Sequence, residues 1–123
     1  MPRTALNLID PALRHCIDEC LRCHELCLST IPYCLEQGRT HATEEHITLL
    51  FDCATICRTA ADFMLRASDE HARLCGVCAA ICRRCAEHCA SFADDDVMQS
   101  CAEVCRACAD SCERMAAATG AEH

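Results

Sequence analysis

The chain contains no lysine and no tryptophan, and aromatic residues make up only 3 % of its 123 positions. Glycine and proline number three each. So few breakers leave little material for the turns of a many-stranded fold, and the aromatic residues that strands favour are scarce. With no lysine, all eleven basic residues are arginine, set against nineteen acidic ones for a net charge of −8. That balance offers no basic patch and excludes nucleic acid as an expected partner. Long hydrophobic runs are missing too. Nothing approaches the roughly eighteen uninterrupted apolar residues of a membrane span. The first ten residues hold a single arginine and reach Asp10 before any long apolar run. They read as neither a secretory nor a twin-arginine signal. The expectation is one cytosolic, cytoplasmic domain, all-helical, with no membrane contact.

What the chain has in quantity is cysteine, sixteen in all. They fall in four groups: Cys16, Cys20, Cys23, Cys27 and Cys34; Cys53 and Cys57; Cys75, Cys78, Cys82, Cys85 and Cys89; Cys101, Cys105, Cys108 and Cys112. Steps of three, four and seven are those between residues on one face of an α-helix. Four helices are therefore expected, over about 10–36, 43–66, 69–91 and 95–118, after an N-terminal extension of residues 1–9 and before a tail of 119–123. Asp10 with Pro11 makes a capped start. Thr43 is placed to cap the second helix, with Glu44 and Glu45 in its first turn, and Ser68 the third, with Asp69 and Glu70 following. Asp94, Asp95 and Asp96 open the fourth. Pro32 falls inside the first helix, where it removes a donor and predicts a kink between Cys27 and Cys34. Short loops require antiparallel neighbours, so the predicted fold is all-α, an antiparallel up-down-up-down four-helix bundle with a cysteine-lined core. Helices three and four share the pattern Cys-Ala-x-x-Cys-Arg-x-Cys-Ala-x-x-Cys, as an internal duplication would leave. Leu13, Ile17, Leu21, Leu28, Leu35, Leu49, Ile56, Phe63, Leu74, Val77, Ile81, Val97 and Val104 flank the stripes and are expected to seal the seams between helices.

One or two buried cysteines are merely small hydrophobes. Four facing stripes of them would leave a poorly filled core, because each has less volume than leucine. Structural disulfides suit an oxidising compartment, which this chain does not suggest. Thiols this dense point to a soft metal. Four-thiolate zinc sites would each bury a net charge of about −2. A monovalent soft ion, Cu(I), at about one per cysteine neutralises the thiolates, and bridging sulfurs let neighbouring ions share ligands. Loop-borne iron–sulfur spacings are absent. In the antiparallel arrangement one end collects His15, Met64, His71 and Met115, neutral donors suited to passing ions inward. The other collects Cys34, His46, Cys89 and Met98. Packing at the end of a core explains methionines there equally well. His24, His41, His88 and His123 read as solvated surface residues.

Four runs carry a family likeness: Cys16-x3-Cys20-x2-Cys23-x3-Cys27, the segment from Asp52 through Cys53 and Cys57 to Met64, and the two Cys-x3-Cys-x2-Cys-x3-Cys runs of helices three and four. On these, the chain resembles the cytosolic branch of the copper storage proteins, over about Asp10 to Ala118. The resemblance implies storage of many Cu(I) ions inside each bundle, no catalysis, and homotetramers. Two departures stand out: Pro32, and a stripe with no thiol between Cys27 and Cys34. Two other readings stay open: a module that buffers zinc or delivers copper, which would need few and exchangeable sites, and a thiol redox enzyme. The latter would put a reactive cysteine at a helix N-terminus, whereas these run mid-helix.

Overall fold

The computed structural model describes residues 3–120. Four helices make up nearly all of it: α1 (Pro11–Gln37), α2 (Glu44–Leu65), α3 (His71–Ala90) and α4 (Asp96–Gly120). Short 3-10 turns cover Ala5–Leu8 and Arg39–Ala42. No strand occurs among the described residues. His123 lies outside them.

The helix starts follow side-chain capping. Asp10 accepts from the backbone N–H of Ala12 at 2.8 Å, with Pro11 in the first helical position. Thr43 accepts from His46 N–H. Asp95 accepts from the N–H groups of Val97 and Met98 through one carboxylate oxygen. Each contact satisfies a donor that the first helical turn leaves without a partner. The third start differs from the prediction. Ser68 accepts from the N–H of Glu70, and the helix begins only at His71 with Glu70 as its cap. Asp69 and Glu70 therefore precede α3 and do not occupy its first turn. At the end of α1, Gly38 adopts φ 72° and ψ −168°. That region is almost closed to residues with a Cβ, so glycine lets the chain leave α1 and enter the Arg39–Ala42 turn.

Pro32 does not interrupt α1, which is helical on both sides of it. Pro32 and Leu28, whose carbonyl lacks its usual donor, both lie on the solvent side. Thr30 fills the gap in the stripe. It is 2 % exposed, and its hydroxyl donates to the Leu26 carbonyl at 2.7 Å.

Each helix backbone packs against its two neighbours, α1 with α2 and α4, α3 with α2 and α4, while the diagonal pairs meet only through side chains at the axis. Sulfur contacts fix the directions. Along α1, Cys16 and Cys20 meet Cys112, and Cys27 meets Cys105. Between α2 and α3, Cys53 meets Cys82 and Cys57 meets Cys78. Rising numbers on one helix meet falling numbers on the next, so neighbours are antiparallel. Alanines 54, 60, 61, 79, 86, 102 and 109 are buried beside the thiols and let the helices approach closely. The seams are narrower than the sequence suggests. Leu28, Leu35, Val77 and Val97 are 40–55 % exposed, turned outward from the seams they were expected to seal.

Candidate metal centre

All sixteen cysteines are buried and free, none more than 1 % exposed. Their sulfurs form a connected column. Cys57 lies 3.5 Å from Cys82, 3.6 Å from Cys78 and 3.8 Å from Cys108. Cys23 lies 3.7–3.9 Å from Cys27, Cys53 and Cys105. Twelve of the thiols fall into five groups whose sulfurs lie within 4.8 Å of one another. The groups overlap: Cys112 joins the Cys16–Cys75 set to the Cys20–Cys78–Cys108 set, and Cys23 and Cys53 belong to two others. With metal–sulfur bonds of about 2.3 Å, sulfurs roughly 3.4–3.9 Å apart share one ion at an angle of roughly 95–115°, close enough to bond it without moving the helices. A sulfur belonging to two groups bridges two such ions. Isolated four-thiolate sites would not share members in this way.

The thiols also hydrogen-bond to one another, which splits their acidity. Cys23 and Cys85 are held down at about 7, chiefly by bonding with Cys105. Bonding with Cys101 and Cys108 respectively drives Cys105 and Cys112 upward. Cys34 stands apart from that network: burial raises it to about 11, helped by repulsion from Cys101. Soft-metal binding displaces thiol protons, so the column is a set of ligands that exchange a proton for an ion.

The two ends differ. At one, Met64 is 1 % exposed and its sulfur lies 3.7 Å from Cys75. Met115 is half-buried against the core. His71 is half-buried, with its Nδ1 directed at the Ser68 carbonyl. His15 does not join this group. Its side chain is 61 % exposed and faces Glu19. At the other end, Cys34 lies 3.4 Å from His46 Nε2 and 3.6 Å from Met98 Sδ.

Three histidines expected at the surface are instead built into the packing. His24 donates to the Ala54 carbonyl at 2.7 Å, tying α1 to α2. His88 Nδ1 sits 3.0 Å from His46 Nδ1, with the rings stacked. His41 bonds Asp95 at 2.9 Å and packs on Phe92, which in turn leans on His46. Tyr33 donates its hydroxyl to the same Asp95 oxygen at 2.7 Å. Burial works against the Asp95 charge, but the bonds from Tyr33 and His41 hold its carboxyl below the usual range. Burial, then the neighbouring His88, lowers His46 and keeps the ring neutral. No local sequence signal marks these contacts, since they join residues far apart in the chain.

A helical bundle whose axis is a column of free, overlapping thiol groups defines a protein that holds several soft monovalent ions together. The copper storage protein family matches residues 10–117, and the chain belongs to that family. No curated protein matches it. Among solved structures, Nmul_A1745 from Nitrosospira multiformis is 42 % identical with a TM-score of 0.81, over 87 % of this chain and 96 % of that one. Cu(I)-bound BsCsp3, the copper storage protein 3 of Bacillus subtilis, is 34 % identical with a TM-score of 0.78, over 85 % and 98 %. A cytosolic copper storage protein from Streptomyces lividans, holding five coppers, is 30 % identical with a TM-score of 0.80, over 86 % and 92 %.

Proposed function

We propose that this chain stores Cu(I) in the cytosol as thiolate clusters running the length of the bundle, at about one ion per cysteine. The overlap of the thiol groups carries this reading. Overlap suits bridging sulfur and monovalent ions. It does not suit zinc, whose closed tetrahedral sites would bury negative charge in a core where, among the described residues, no arginine is buried. The ligands are Cys16, Cys20, Cys23, Cys27, Cys34, Cys53, Cys57, Cys75, Cys78, Cys82, Cys85, Cys89, Cys101, Cys105, Cys108 and Cys112. Complete burial favours storage and detoxification over delivery, which needs exchangeable surface sites, and over turnover, which needs substrate access. Met64 and Met115 receive incoming ions, being the soft neutral donors at the Cys75 end. His71 flanks them.

By its likeness to the cytosolic branch of the family, the chain assembles into homotetramers. Leu28 and Leu35, seven residues apart on one line of α1 and both exposed, offer an apolar strip for that contact. Analytical ultracentrifugation tests it, with a monomeric protein as the refuting result.

Storage is tested by anaerobic Cu(I) titration of the reduced protein against a coloured Cu(I) chelator. Uptake near one ion per thiol before the chelator colours supports shared clusters. Saturation at four ions or fewer per chain refutes them.

A further inference from the structure

The column is not uniform along its length. Twelve thiols lie in the overlapping groups, and Cys34, Cys85, Cys89 and Cys101 belong to none of them. These four lie towards the Cys34 end. The side chains that α1 and α2 place among them account for the change.

Levels along the axis follow from the contacts. Cys27 and Cys53 share a group with Cys105, and further along Cys34 meets His46 and Met98. Between these two levels α1 presents Thr30, α2 presents Leu50 and α4 presents Cys101. All three are buried, Thr30 at 2 % exposure and the others at 0 %. Thr30 follows Cys27 by three residues and precedes Cys34 by four, while Leu50 follows His46 by four and precedes Cys53 by three. Both therefore occupy stripe positions. Two of the four helices place no thiol at this level. Cys85 of α3 and Cys101 of α4 meet the twelve in pairs, chiefly through Cys105 and Cys27.

Neither replacement can hold the stored ion. Leu50 is hydrocarbon. Thr30 offers oxygen, a hard donor poorly matched to Cu(I). Its hydroxyl proton is already taken by the Leu26 carbonyl. A Cu(I) ion in a dry core cannot leave its thiolates for open space, because a lone charge there is uncompensated. It must gain a new sulfur before it loses an old one. Within the overlapping groups the next sulfur is close on several sides. At the level of Thr30 and Leu50 it comes from α3 and α4 alone.

We propose that Thr30 and Leu50 form a break that divides the store into two pools: about twelve ions that exchange readily, and about four at Cys34, Cys85, Cys89 and Cys101 that fill last and empty last. Thr30 is a positioning residue, spacing the thiols without binding metal. The proposal rests on the chain being a Cu(I) store that exchanges ions at its Met64 end.

The test is anaerobic transfer of Cu(I) from the fully loaded protein to an excess of a coloured Cu(I) chelator, followed to completion. The parent should release about one quarter of its copper in a slow second phase, the share of four thiols in sixteen. Thr30→Cys should take up one ion more than the parent and speed the slow phase about tenfold, a barrier lowered by about 1.4 kcal/mol. Thr30→Val keeps the shape of the side chain and supplies no sulfur, so both phases should stay as they are. If Thr30→Val speeds the slow phase as much as Thr30→Cys does, looser packing is the cause and the break is refuted. A Thr30→Cys protein that gains no ion and keeps its slow phase refutes it too. Single-phase release from a chain holding about one copper per thiol overturns the two pools and leaves storage standing. Saturation at a few ions per chain overturns both.

Discussion

At the Cys75 end of the column the last thiols, Cys16, Cys75 and Cys112, form a tight group beside the Met64 thioether, and the half-buried Met115 lies outside them. At the Cys34 end a single thiol faces an imidazole and a thioether, beneath a lid of aromatic rings tied down by Asp95. That one carboxylate caps α4 with one oxygen and holds Tyr33 of α1 and His41 of the connecting turn with the other. Among the described residues, the Cys34 end is fastened across elements by the Tyr33 and His41 bonds to Asp95, whereas the Cys75 end is joined by sulfur contacts alone. A wall of thioether and aliphatic groups yields by side-chain rotation, whereas the Asp95 knot must break several bonds together. Exchange of ions should therefore follow the methionine end.

The largest effect expected from this contrast is on capacity. Replacing Cys16, Cys75 and Cys112 together with alanine should remove about three ions per chain, whereas Cys34→Ala should remove about one, both read by chelator-competed titration. Equal losses would erase the difference between the ends. Next comes rate. Met64→Leu with Met115→Leu keeps the volume of the wall and removes its sulfur. Stopped-flow loading should slow about tenfold with capacity unchanged. Asp95→Ala should instead speed loading by opening a second route, while costing about 1 kcal/mol through the lost cap. If Asp95→Ala accelerates loading and the methionine pair has no effect, the direction of traffic is reversed.

A pH effect on the copper-free protein is smaller and has a definite sign. Burial raises Cys34 from 9.0 in the unfolded chain to about 11 in the bundle. A raised value means that the native state holds the proton more tightly. The associated stability is present below pH 9 and lost as pH rises towards 11, up to about 2 kcal/mol. Thermal melts at pH 8, 9, 10 and 11 should show a loss, and Cys34→Ala should reduce it by this share, the other raised thiols such as Cys105 and Cys112 keeping theirs. The smallest effect is at the turn outside this end. Gly38→Ala meets no atom within 4 Å, so only its positive φ opposes the change. It should cost about 1–2 kcal/mol, read as a lower melting temperature with unaltered copper capacity.

The cysteine spacing makes the helices and their inward faces legible, because a thiol stripe at steps of three and four has one meaning on a helix. Asp10 and Thr43 are legible as caps for the same local reason. What escapes is whatever depends on one helix's rotation against its neighbours. Leu28 and Val77 flank the stripe in sequence, yet face water because the buried arc is narrow and alanine closes the seams. His15 sits beside Cys16 but one step round the helix, enough to turn it towards Glu19. His24, His41 and His88 have polar partners 30, 54 and 42 residues away, beyond the reach of any local pattern. Thr30 could have been read as the missing member of its stripe, since it follows Cys27 by three and precedes Cys34 by four. At Ser68 the local rule selects a capping residue two positions early, because Glu70 begins the helix without a side-chain bond.

The thiols lie wholly inside, while the acidic side chains and arginines among the described residues keep their charge outside the core. Each stored Cu(I) replaces one proton. A full bundle then carries the same formal charge of −8 as an empty one, within nearly the same envelope. Electrophoresis under native conditions should not separate the two. Nothing that feels only the long-range field of this protein, whether a carrier approaching by diffusion or another copy of the chain, can sense how much metal it contains. Information about the load is confined to the two ends of the column, where contact is made.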